Sequence, residues 1–175
     1  MPNMIIGQIF GIIATLVTFF SYQANTKRRI LIIQTFACIF TCIGYLFLEA
    51  RSGLVLNIVC IVRNIAFYFQ KEGTKASYLS AVLFAGIMMV LGAISWQGLL
   101  SLLIIIALAA NTVFLSLGKP QLLRKSILIT SSMVLIYNVF VFSIGGIANE
   151  ALAIISSIIG LVRFYKNNKK YNDSI

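Results

Sequence analysis

The sequence has no histidine, and its four acidic residues are Glu49, Glu72, Glu150 and a single aspartate, Asp173. A histidine-based triad, a histidine-rich zinc site and an aspartyl dyad are therefore excluded. Prolines number two, Pro2 and Pro120, and the one tryptophan is Trp96. The three cysteines, Cys38, Cys42 and Cys60, lie inside apolar runs rather than in loops. They read as small packing residues and not as a redox pair or metal ligands. No nucleotide-binding motif is present. The expectation is a protein that is not an enzyme and that carries no cofactor and no metal.

Apolar residues fill the space these absences leave. The 175 residues are 60% hydrophobic and 10% charged, with a mean hydropathy of +0.99. A water-soluble fold of this length leaves roughly a third of its unfolded surface exposed, and so few charges cannot cover it. The composition predicts an integral membrane protein of all-α class, with the lipid bilayer as its solvent. A net charge of +10 then reports which loops face the cytoplasm rather than a nucleic-acid partner. The N-terminal stretch has neither a basic leader nor a small-residue cleavage site, so its first helix is expected to be retained.

A bilayer core takes about 20 apolar residues per helix. Cut by that ruler, the chain gives seven spans: residues 4–22, 30–48, 53–69, 76–94, 99–117, 126–142 and 147–164. The stretch 76–117 is about two membrane thicknesses long, and its turn is expected at Ser95-Trp96-Gln97-Gly98. Basic residues fall in alternate loops: Lys27 to Arg29, then Lys71 and Lys75, then Lys119, Arg124 and Lys125, then Lys166, Lys169 and Lys170. Arg51 alone occupies the intervening loops. The alternation predicts an N-terminus outside and a C-terminus in the cytoplasm.

Seven helices with an odd one in the middle suggest two related halves. A shift of about 92 positions puts Lys27 on Lys119, Tyr45 on Tyr137, Gly53 on Gly145 and Asn57 on Asn149, a register read from the sequence alone. The expected organisation is a three-helix bundle at 1–72, a linker helix at 73–97, a second bundle at 98–166 and a basic tail at 167–175. The halves would share an orientation, as a parallel repeat about an axis along the membrane normal.

Polar side chains inside these spans mark faces. Asn57, Asn64 and Tyr68 lie within about 40° of one another around the third helix. The shifted positions on the seventh helix begin with Asn149 and Ser156. Gln34, Cys38, Thr41, Tyr45 and Glu49 align on the second helix, Ser126, Thr130 and Tyr137 on the sixth, and Gln8, Gly11, Thr15 and Tyr22 on the first. Serine, threonine and cysteine at such places commonly join helices, whereas paired asparagines suit a ligand site as well as helix packing. Arg63 lies about ten residues into its span, roughly 15 Å deep. Glu150, Glu49, helix-end carbonyls or an anionic ligand would each meet its need for a partner. Candidate binding residues are thus Tyr45, Asn57, Arg63, Asn64, Tyr137, Asn149 and Ser156, with Glu150 as a candidate coupling residue.

The runs Ser21-Tyr22-Gln23, Lys27-Arg28-Arg29 and Val62-Arg63-Asn64 resemble the bacterial inner-membrane YgjV family. Ile136-Tyr137-Asn138, Gly145-Gly146 and Val162-Arg163 extend the likeness over most of the chain. It implies a multi-pass protein of the inner membrane and carries no established activity. A more distant resemblance is to the SWEET and PQ-loop superfamily, with its three, one, three order of helices. That likeness implies Asn57 and Asn149 as sugar-binding equivalents. The hinge prolines and aromatic wall of such transporters are missing. The leading expectation is a transporter or facilitator for a small polar or anionic solute, with a site at mid-membrane, in a chain that could form homo-oligomers. The alternative is a non-transporting receptor or assembly protein that docks partners through its basic cytoplasmic loops.

Overall fold

The structure, a computed structural model, describes residues 2–21, 27–71, 73–117 and 120–172. Tyr22, Gln23, Glu72, Lys119 and Asp173 lie outside them. All regular structure among the described residues is helical: α1 (Pro2–Ser21), α2 (Lys27–Phe47), α3 (Arg51–Tyr68), α4 (Lys75–Ile94), α5 (Leu100–Ser116), α6 (Pro120–Phe140) and α7 (Ile144–Asn172). The seven apolar runs are thus seven helices. Six are long and apolar enough to cross a membrane; α5, at 17 residues, is shorter, about 25 Å. The basic flanks join the helices they precede or follow. α2 begins at Lys27, α6 at Pro120, and α7 runs on to Asn172 through what the sequence suggested was a tail. Proline at the first position of α6 suits a helix start, where its missing N–H would have no partner.

Contacts between helices follow a ring. α1 packs on α2, α2 on α3, α3 on α5, α5 on α6, α6 on α7, and α7 returns to α1. α4 stands beside this ring, against α3 and α5. Close approach depends on glycine at the α1–α7 seam, where a Cβ on Gly145 would sit 2.0 Å from the Gly11 carbonyl carbon. Large apolar side chains cover the outside, and the interior mixes apolar residues such as Leu56, Phe67, Met88 and Ile104 with polar ones. Leu16, Phe20, Leu79, Leu83, Ile129 and Val162 face outward, while Ser52, Asn64, Ser101, Thr112 and Asn138 are buried. Lipid rewards apolar surface outside, and polar or small side chains join the helices within.

The ends of α2 and α6 are built alike. At α2, Ala50 N–H donates to Tyr45 O at 3.0 Å and Glu49 N–H to Leu46 O at 3.3 Å, with Glu49 at φ 57°. At α6, Ser143 N–H donates to Asn138 O at 2.9 Å and Phe142 N–H to Val139 O at 3.2 Å, with Phe142 at φ 56°. Both are Schellman turns, which satisfy the last carbonyls of a helix through a left-handed residue. Both of these bonds in one turn have their counterparts 93 positions on, whereas the Arg51 N–H bond to Glu49 O has none, the Ile144 N–H going to Gln8 instead. The same displacement relates Lys27–Phe47 to Pro120–Phe140 and Arg51 to Ile144 at the helix starts. The structural register is therefore 93, one more than the identity-based register of 92.

Two glutamines hold these turns from the opposite part of the chain. Gln97, just before α5, accepts from Ser52 N–H at 3.1 Å and donates to Glu49 O at 2.9 Å. Gln8 of α1 accepts from Ile144 N–H at 2.8 Å and donates to Phe142 O. Each thereby satisfies an orphan N–H at a helix start. At the other end of the bundle, Arg28 lies over the Tyr68 ring at 5.4 Å and Lys125 over Tyr165 at 6.0 Å.

Candidate functional site

A cavity of about 230 Å³ lies inside the ring, lined by residues of all six of its helices and by none of α4. At about 30 Å³ per water it has room for roughly seven. Small residues of α1 (Gly11, Ala14, Thr15) and α7 (Gly145, Gly146) form one side. Gln34, Cys38 and Thr41 of α2 and Asn57, Arg63 and Asn64 of α3 form another, with Asn111 of α5, Ser131 and Asn138 of α6, and Asn149 and Glu150 of α7 completing the wall.

Toward the Gln8 and Gln97 end the cavity meets a layer of tyrosines. Tyr45 donates its hydroxyl to Asn138 Oδ1 at 2.6 Å, and Tyr137 accepts from the Gly53 N–H at 3.1 Å. The two rings pack edge to face, 6.2 Å apart. A Cβ on Gly53 would lie 2.8 Å from the Tyr45 ring, and one on Gly146 would lie 2.4 Å from Asn138 Oδ1, so both glycines make room for this layer. Tyr45 and Asn138 are 93 residues apart. They are counterparts in the two turns and are bonded to each other.

Arg63 lies 12 residues past the start of α3, about 18 Å along the helix. It is 5% exposed. Its Nε and Nη2 donate to Asn64 Oδ1 at 3.2 and 2.8 Å, and Nη1 donates to Thr112 Oγ1 at 2.9 Å. Thr112 is equally deep in α5, and its hydroxyl donates in turn to Leu108 O at 2.7 Å. Both acceptors are neutral. A guanidinium carries five N–H groups, so two remain, and the charge has no carboxylate partner among the described residues. The sequence-based pairing of Arg63 with Glu150 or Glu49 is therefore not what the structure contains. Glu150 is six residues into α7, half-buried, and receives Asn149 Nδ2 at 3.1 Å, with the Ser131 side chain beside the same carboxyl.

The two amides next to these charges are each held at one end only. Asn64 is fully buried; its Oδ1 accepts from Arg63, and its Nδ2 has no partner among the described residues. Asn149 is the reverse, with Nδ2 engaged by Glu150 and a buried Oδ1 left without one. Asn57 donates to Gly53 O at 2.9 Å, one turn back on its own helix.

Of the residues singled out from sequence, Tyr45, Asn57, Arg63, Asn64, Asn149 and Glu150 border the cavity. Tyr137 stands behind Tyr45. Ser156 is not on the wall: it lies two turns below Asn149, toward the region where Arg124 covers Gly160 and donates to its carbonyl at 3.3 Å. The asparagine pairing also changes, because the 93 register sets Asn57 opposite Glu150 rather than Asn149. Sequence reasoning missed Asn138, Ser131, Asn111 and Thr112. Ser131 and Asn138 repeat the seven-residue spacing of Asn57 and Asn64, a signal that was present.

A helical ring with an apolar outer face, enclosing a cavity lined by both polar and apolar side chains, defines a multi-pass membrane protein. Residues 5–168 match the family described as Imp-YgjV, bacterial inner membrane protein. The chain belongs to that family and is a protein of the bacterial inner membrane. Neither a curated protein nor a solved structure matches it.

Proposed function

We propose that this protein is a facilitator for small polar solutes, acting through the cavity and without covalent chemistry. In this reading all seven helices cross the bilayer. The N-terminus lies outside, and the basic end of the bundle lies in the cytoplasm. α1–α3 and α5–α7 form the two halves of a parallel repeat, with α4 as the linker. The shared 93-residue register of the two turns supports this arrangement, as does the position of α4 beside the ring.

The observation that carries the reading is Arg63. A charge deep in a span is costly and is usually retained for a pathway or binding site. Here it borders a central cavity with two N–H groups to spare. Its protein acceptors, Asn64 Oδ1 and Thr112 Oγ1, are both neutral, which leaves the charge for a solute to meet.

Osmotic swelling of proteoliposomes gives a direct test, using small polyols and organic anions as external solutes. Flux above protein-free vesicles is expected, and Asn57→Ala and Asn149→Ala should each reduce it to background while the protein still inserts. A double variant that moves solutes at the wild-type rate would remove the cavity from the pathway. C-terminal fusions to a cytoplasmic or a periplasmic reporter test the orientation independently.

A further inference from the structure

We infer that the cavity is built for a small zwitterion, whose anionic group meets Arg63 and whose cationic group meets Glu150. The inference deepens the facilitator reading by naming the class of solute. It stands on two opposite charges that border the cavity, each hydrogen-bonded to neutral side chains and not paired with the other.

The two charged residues sit at different depths on one wall system. Arg63 is 12 residues into α3 and Glu150 six into α7, both helices starting at the same end of the bundle. The offset is about 9 Å at 1.5 Å per residue. Each charge is tied to the amide of its chain neighbour: Arg63 to Asn64 Oδ1, and Glu150 to Asn149 Nδ2. With Asn64 and Thr112 as its acceptors, Arg63 keeps two N–H groups, so its pole of the cavity offers donors. Glu150 accepts from Asn149, and its pole offers a carboxylate. The free amide atoms, Asn64 Nδ2 and Asn149 Oδ1, are enclosed behind the two charges rather than open to the cavity.

A singly charged solute would satisfy one pole and leave the other charge unpaired in a low-dielectric site. A carboxylate with an ammonium at the far end satisfies both and leaves the loaded cavity with no added net charge. Charge-assisted hydrogen bonds at both ends would fix its direction along the axis. The small volume limits the solute to a compact molecule.

The test compares glycine, 4-aminobutyrate and 6-aminohexanoate with butyrate, butylamine and a neutral diol. Binding is read by thermal stabilisation of the purified protein, and flux by proteoliposome swelling. At least one zwitterion should bind and permeate at least tenfold better than butyrate or butylamine. Glu150→Gln, which keeps the shape and an acceptor for Asn149, should reverse the preference between 4-aminobutyrate and butyrate. Flux of butyrate or the diol equal to that of every zwitterion would overturn the inference and leave the facilitator reading standing. Zwitterion binding without flux would do the opposite, and neither binding nor flux of any of these solutes would sink both. An unchanged preference in Glu150→Gln would remove the acidic pole from recognition.

Discussion

Tyr45, Ala50 and Leu54 at the α2–α3 turn make, bond for bond, the backbone contacts that Asn138, Ser143 and Ile147 make at the α6–α7 turn. The side chains carried on that common skeleton differ almost everywhere it matters. Tyr45 stands opposite Asn138, Asn57 opposite Glu150, and Arg63 opposite Ser156. Backbone hydrogen bonds and helix lengths are obligatory in lipid, where no water can take their place, so the skeleton tolerates little drift. Side chains that face an internal cavity are free to diverge. α3 carries the cation, Arg63, and α7 the anion, Glu150, that border the cavity.

The largest effect is expected where the halves touch through backbone. Gly145→Leu must push α7 off α1, because even a Cβ there would meet the Gly11 carbonyl group. A loss of about 3 kcal/mol or more is expected, seen as poor recovery and early melting in detergent. Gly86 of α4 has nothing within 4 Å of a built Cβ, so Gly86→Ala should melt at or slightly above the wild-type temperature. Equal melting of the two variants would show that the α1–α7 seam opens without cost.

Arg63 and its counterpart Ser156 sharpen the comparison at the next level. Arg63→Met strands the Asn64 oxygen and removes the charge at once. It should lower stability by about 1–3 kcal/mol and bring proteoliposome flux to background. Ser156→Ala, off the cavity wall, should stay within about 0.5 kcal/mol of wild type with flux retained. Loss of flux in Ser156→Ala would mean that the pathway continues down α7 beyond the cavity.

Tyr45 and Asn138 join the halves directly, and their bond is separable by a double-mutant cycle. Tyr45→Phe and Asn138→Leu should each cost about 1 kcal/mol, with the double variant recovering a coupling of similar size. Strict additivity in thermal melts would mean that the two residues act independently of each other.

How much of this was legible in the sequence depends on the kind of signal. Helix number and approximate limits followed from apolar run length, because hydrocarbon thickness is a physical ruler. Arg63, Asn64 and Asn149 were found because amides and charges are expensive in lipid wherever they occur. The register was missed by one residue, since matching tyrosines and glycines, Tyr45 with Tyr137 and Gly53 with Gly145, outweighed turns that left no mark. A left-handed helix terminator is usually glycine or asparagine; here Glu49 and Phe142 occupy it, and neither residue type announces a turn. The sequence left the partner of Arg63 open among Glu150, Glu49, helix-end carbonyls and an anionic ligand; its protein contacts are its chain neighbour Asn64 and Thr112, an ordinary helix residue by sequence at the same depth in α5.

Those two left-handed residues give the smallest and most direct test that the turns are equivalent. A non-glycine residue in that region is disfavoured by roughly 1–2 kcal/mol through the crowding of its Cβ against the following carbonyl, and glycine returns part of that gain through the greater freedom of the unfolded chain. Glu49→Gly and Phe142→Gly should therefore each stabilise the protein by about 0.5–1 kcal/mol. Both side chains are exposed, so little packing is lost in exchange. Similar upward shifts in melting temperature are expected for the two variants, adding in the double variant because each acts on its own turn. A gain at one site with a loss at the other would mean that the two turns share hydrogen bonds but not the same strain, and would break the equivalence on which the 93-residue register rests.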